Sequence, residues 1–115
     1  MRDNIIVDKS FEFALKIVEL YKYLVDEKRE YVLSKQLLRA GTSIGANVRE
    51  AIVSQSKKEF IAKLNISLKE AHESDYWLAL LCKSGYISTS QALQSEINEL
   101  IRILTAIIKS SNEPV

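Results

Sequence analysis

The sequence predicts an all-α fold, an antiparallel up-down-up-down four-helix bundle, and three observations carry that expectation. Apolar residues recur every three or four positions through four long segments. Three glycines and one proline in 115 residues leave few places to break a helix or turn a hairpin. Short polar breaks separate the segments, and two of them, Ser56-Lys-Lys-Glu59 and Ser88-Thr-Ser-Gln91, read as capping boxes. The length fits a single domain, residues 1–115, burying roughly two-thirds of its unfolded surface. The helices are expected over about 9–26, 31–54, 57–83 and 89–110, in a bundle roughly 30 Å long.

Residues 1–7 read as a short extended or disordered lead-in, with Asp8 or Ser10 as the cap of helix one. Two apolar groups follow on that helix. Phe11, Ala14, Leu15, Val18, Tyr21 and Val25 form one, and Phe13, Ile17, Leu20 and Leu24 form the other. Together they cover roughly 200° of the helix, twice the stripe a core-facing helix needs. One face meets the core and the other needs a second partner, so Phe13, Ile17, Leu20 and Leu24 are expected between subunits.

A charged turn, Asp26 to Glu30, leads to helix two. Its core stripe is Leu33, Leu37, Ala40, Ile44, Val48 and Ala51. Gly41 and Gly45 lie one turn apart beside that stripe, and each costs about 1 kcal/mol relative to alanine. Their expected use, together with Asn47, is close helix packing. Helix three places Phe60, Leu64, Leu68, Ala71, Leu78 and Cys82 in line, with Ile66, Trp77 and Leu80 on another flank. Glu70, Glu73, Tyr76 and Trp77 make an acidic-aromatic side, either a subunit contact for the basic side of helix two or a partner-binding patch, and the subunit contact is the preferred reading. The expected oligomer interface therefore adds Ile66, Glu70, Glu73 and Trp77 to the helix-one residues. Gly85 suits the left-handed position after a helix, and helix four repeats Leu93, Ile97, Leu100, Ile101, Leu104, Ile107 and Ile108.

Little in the sequence points to catalysis, and no metal or cofactor is expected. His72 is the only histidine, and Lys69 stands where a Glu-x-x-His metal pair would need a carboxylate. No nucleophile elbow or glycine-rich phosphate loop is present. Cys82, the single cysteine, reads as a small core residue. Asn47, Ser67, Ser74 and Asp75 lie near apolar faces and are expected to bond one another, Lys63 or Arg49 across helices. With no disulfide possible, no signal-peptide pattern and no membrane-length apolar run, the expected compartment is the cytoplasm, without membrane association.

Net charge is +1, which argues against a whole-protein grip on nucleic acid. Between Lys28 and Lys63, however, eight bases face three acids, a local excess of +5. Lys35, Arg39, Arg49, Lys57 and Lys58 are the candidate nucleic-acid-binding residues of this basic stretch.

Three motifs in order, Ser43-Ile-Gly-Ala-Asn47-Val-Arg-Glu50-Ala, Ser54-x-Ser-Lys-Lys-Glu-Phe60 and Leu68-Lys-Glu-Ala-x-Glu73-x-x-Tyr-Trp-Leu78, resemble the four-helix bundle protein family, also called 23S rRNA intervening-sequence proteins. Helix one, with Lys-Ser-Phe-x-Phe-Ala and Leu-Tyr-x-x-Leu, is similar too. The resemblance implies an antiparallel four-helix bundle, a ring-like homopentamer and no enzymatic activity. It also implies a fold similar to the accessory variability protein of diversity-generating retroelements, a basic pentamer that binds a reverse transcriptase and nucleic acid. The function expected is a non-enzymatic homo-oligomeric scaffold or adaptor. The alternative is an accessory protein that binds RNA, DNA or a nucleic-acid-processing protein.

Overall fold

A computed structural model describes residues 2–88 and 91–113, and among them the chain is four α-helices and no strand. They are α1 (Arg2–Asp26), α2 (Leu33–Ile52), α3 (Lys57–Lys83) and α4 (Gln91–Asn112). Each neighbouring pair runs antiparallel, as the cross-helix contacts show. Ile17 meets Gly41 and Ser10 meets Gly45 between α1 and α2. Arg39 reaches Glu70 while Glu50 reaches Lys63 between α2 and α3. Lys9 reaches Glu99 and Lys16 reaches Glu96 between α1 and α4.

The core follows from heptad-like stripes. Each helix contributes four residues to it: Ile6, Phe13, Ile17 and Leu24; Leu37, Ile44, Val48 and Ala51; Leu64, Ala71, Leu78 and Leu81; Ile97, Leu100, Leu104 and Ile107. On α3 the buried stripe includes Ser67 and Ser74. These hydroxyls are tolerated because each finds an acceptor: Ser67 donates to the Ile44 carbonyl of α2 at 2.9 Å, and Ser74 to the Glu70 carbonyl of its own helix.

Helix one departs from the sequence reading at its start. It begins at Arg2, so residues 2–7 are helical, and Asp8 and Ser10 lie inside the helix instead of capping it. The reason is a continuous stripe at positions 6, 10, 13, 17, 20 and 24, in which buried Ser10 donates to the Val7 carbonyl at 3.1 Å. With these added turns the molecule measures 51 × 21 × 20 Å, longer than the expected bundle, although α3 keeps its expected bounds.

The turns are chemically defined. Before α2, no residue at the helix start supplies a side-chain cap, and Glu30 takes that role from upstream. Its buried carboxylate accepts from the backbone N–H groups of Val32, Leu33 and Ser34 at 3.2, 2.9 and 2.6 Å. Ser34 returns a bond from its hydroxyl to the Glu30 carbonyl. Ser56 caps α3 by accepting from Glu59 N–H at 3.0 Å, as the first capping box predicts. After α3, Gly85 adopts φ +89°, and the Tyr86 N–H returns to the Leu81 carbonyl in a Schellman-type ending. The second capping box depends on Thr89, Ser90 and the Gln91 side chain, which lie outside the described residues, as does the expected helix start at 89; α4 is described from Gln91.

Burial of Glu30 would raise its pKa, but the three backbone N–H donors outweigh that and hold the carboxyl below the ordinary value of 4.5. The folded state thus favours the charged form. Its contribution to stability is complete above the ordinary glutamate range and is lost as pH falls through the lowered folded-state value. Glu30→Gln should cost about 1–2 kcal/mol at pH 7, the usual worth of a helix cap. Urea denaturation of both proteins at pH 7 and pH 3 checks this, with the difference shrinking at the lower pH.

Candidate interaction surface

Two apolar stripes run along α1, one residue apart, and α2 decides which is buried. A Cβ added at Gly41 would stand 3.0 Å from two branched carbons of Ile17. One added at Gly45 would stand 3.2 Å from the Ser10 hydroxyl oxygen. The two glycines therefore mark a close approach of α1 and α2, and the residues facing them belong to the stripe through Ser10 and Ile17. Phe13, Ile17 and Leu24 are 0% exposed within the single subunit, and Leu20 packs on the core. Phe13, Ile17 and Leu24 cannot be the subunit interface expected from the sequence, because their own chain covers them, and Leu20, half-buried, is turned to the same core.

The displaced stripe is Val7, Phe11, Ala14, Val18, Tyr21 and Val25, with Leu15 beside it. Phe11 and Leu15 are 50% and 51% exposed, and the others are half-buried. Between this stripe and α2 runs an apolar groove of about 370 Å³, floored by Ala14, Gly45 and Ala46 and bordered by Thr42. Arg49 closes one side, its guanidinium 5.3 Å from the Phe11 ring centre, a cation–π distance. The missed signal was the pairing of small Ser10 with Gly45, which identifies the stripe that can approach α2.

On α3 the expected acidic-aromatic side is engaged by its own chain. Arg39 of α2 bridges Glu70 and Glu73, and Glu73 also accepts from the Trp77 indole N–H at 2.9 Å. Trp77 packs its remaining surface on the core, with Tyr76 edge-on to it at 5.0 Å. Ile66, by contrast, is exposed. Asn47 donates to the Ser43 carbonyl of its own helix at 2.9 Å, and among the described residues it makes no bond across helices. Of the polar residues expected to bridge helices, Ser67 does so, through a backbone carbonyl. Cys82 is half-buried.

The five basic candidates are not gathered into one site. Arg39 turns toward α3 and Arg49 toward α1, on opposite flanks of α2. Lys35, Lys57 and Lys58 are exposed, Lys35 near the start of α2 and the other two at the first turn of α3. Lys63 pairs with Glu50 at 2.7 Å. His72 is exposed, and no group of three or more potential metal ligands converges among the described residues. No described helix is long and apolar enough to cross a membrane.

A four-helix chain with this turn chemistry invites comparison with known families. The family model described as 23S rRNA-intervening sequence protein matches residues 2–106, all four helices included. The chain belongs to that family. Its fold is similar to a crystal structure of a protein of unknown function from the S23 ribosomal protein family of Bacteroides thetaiotaomicron VPI-5482. That similarity has a TM-score of 0.93 at 54% identity, over 95% of this chain and 99% of the other. No match was found among curated proteins. Membership in the 23S rRNA-intervening sequence family thus specifies the fold closely and leaves the activity open.

The close approach of α1 and α2 yields a graded prediction. Alanine gains about 1 kcal/mol over glycine in helix propensity. At Gly45 the contact is a serine hydroxyl that rotates, so Gly45→Ala should be near neutral. At Gly41 the contact is the branched centre of a fully buried isoleucine, and overpacking of about 1–3 kcal/mol outweighs the gain. Gly41→Ala should therefore lower the melting temperature while Gly45→Ala leaves it within a few degrees, measured by circular dichroism.

Proposed function

We propose that the protein is a non-enzymatic, homo-oligomeric scaffold or adaptor that works in the cytoplasm as a ring of copies, five in the assembly the resemblance implies. One observation supports this most: the second α1 stripe, Val7 to Val25, repeats at heptad spacing over 19 residues, about 27 Å of helix, and ends up on the outside. An apolar seam of that length is the signature of a helix that packs against another helix. Phe11 and Leu15, half-exposed in the subunit, are its largest apolar groups, and completing their burial is favourable by about 1 kcal/mol or more each.

Binding of RNA, DNA or a nucleic-acid-processing protein is the second reading. It is supported by the exposure of Lys35 toward one end of the bundle and of Lys57 and Lys58 at the other, cations that a ring would repeat, gaining by avidity. It ranks second because Arg39 and Arg49 are already engaged within the chain.

Light scattering at micromolar concentration tests the first reading. The expected mass is a multiple of the 13.1 kDa subunit, and Phe11→Asp should weaken association at least tenfold. A monomeric wild type would overturn it. For the second reading, filter binding to structured RNA at 50 and 200 mM salt should show a salt-sensitive affinity that the Lys35, Lys57 and Lys58 charge reversals abolish.

A further inference from the structure

We infer that the second stripe of α1 docks on the outward face of α3 in a neighbouring copy, the two helices parallel and in register; this rests on the self-association reading above. The α3 face runs through Ala62, Ile66, Lys69, Glu73, Tyr76 and Leu80, apolar toward both ends and charged in the middle. Ala62, Ile66 and Tyr76 are exposed there, Ile66 at 43% and Tyr76 at 60%, and Leu80 is half-buried. The spacing, four-three-four-three-four, is that of α1 positions 7, 11, 14, 18, 21 and 25, displaced by 55 residues throughout.

That displacement matches the heights of the helices in the bundle. Ser10 stands beside Gly45, and Ile44 is bonded to Ser67, so position 11 of α1 lies level with 66–67 of α3. Further along, Ile17 stands beside Gly41, and Arg39 bridges Glu70 and Glu73, which keeps the two stripes within a turn of each other. Rotation about an axis along the bundle leaves heights unchanged. A neighbour generated by such a rotation brings Ile66 to the level of Phe11, Tyr76 to Tyr21 and Leu80 to Val25.

Charge complements this occupant. Exposed Glu12, Glu19 and Lys22 lie on the Leu15 side of the α1 stripe; Lys69 of α3 falls between the two glutamates in height, and Glu73 within about a turn of Lys22. Because the two stripes differ, the contact is heterologous, and repeating it closes a ring when the rotation closes.

Mixing of two variants tests the contact. Phe11→Asp keeps an intact α3 face, and Ile66→Asp keeps an intact α1 stripe. Each alone should run as a folded monomer, with circular dichroism like wild type, and an equimolar mixture should double in mass by light scattering. In a Cys82→Ser background, mild oxidation should give a multimer ladder for Phe11→Cys combined with Ile66→Cys and none for either alone. A wild-type monomer would overturn the self-association reading and this contact with it. If wild type assembles but Ile66→Asp assembles equally, or the folded mixture stays monomeric, or Phe11→Cys alone cross-links, only the α1–α3 contact is overturned.

Discussion

The contact of Ile17 with Gly41, repeated one turn away by Ser10 with Gly45, sets the rotation of α1 and through it most of the surface. Transfer free energy alone does not choose between the two stripes of α1, since each offers four or so large apolar side chains worth about 1.5–3 kcal/mol apiece. Fit chooses. A glycine accepts the branched body of Ile17, and the small Ser10 lets the backbones close at Gly45 while bonding its hydroxyl to Val7. Rotating α1 by one residue would drive the Phe11 ring toward Gly45 and put the Tyr21 hydroxyl in need of a buried partner.

The seams of the bundle are finished differently, and the difference bears on function. Charged pairs span α2–α3 (Arg39 with Glu70 and Glu73, Lys63 with Glu50) and α1–α4 (Lys9 with Glu99, Lys16 with Glu96). Such exposed pairs are worth at most about 1 kcal/mol each, so they steer helix orientation more than they hold it. The α1–α2 seam is instead dressed with small residues and the Arg49–Phe11 stack. Arg39, Arg49 and Lys63 are spent on these internal tasks, and Lys35 stands toward the opposite end of the bundle from Lys57 and Lys58. That is why a local excess of +5 does not become one basic patch.

The sequence made the backbone plan legible where a single period or cap dominated. The core faces of α2 and α4, the Ser56 cap and the Gly85 ending all follow from spacing and local chemistry. Helix one was harder, because its two stripes have nearly equal apolarity and the deciding contact lies in α2, some 30 residues away in sequence. Its start was obscured by Asp8 and Ser10, good caps in isolation, and only the burial of Ile6 shows that the helix runs through them. The cap of α2 was hidden for a related reason. Glu30 acts from outside the helix across three residues, a pattern that spacing rules for Ser or Asp caps do not register.

The misassigned interface points to the physical rule behind it. An over-wide apolar helix announces that something beyond the core covers it, but not which half the core takes. Once Gly41 assigns Ile17 to the inside, the outward stripe follows without further choice. Its flanking charges, Glu12, Glu19 and Lys22 on one side and the Arg49 stack on the other, become the features a partner must satisfy. In the α1–α3 contact proposed above, a second copy would meet them with α3, whose Ile66 and Tyr76 are exposed while Arg39 holds Glu70 and Glu73, and Glu73 holds the Trp77 indole. In a ring built this way, the α1 and α3 faces would be consumed between copies. The α4 side, with its Lys9–Glu99 and Lys16–Glu96 pairs, would then be the surface each copy presents in repeat. A scaffold built in that way would act by repeating one charged, neutralised face around an axis, which a net charge of only +1 per chain permits.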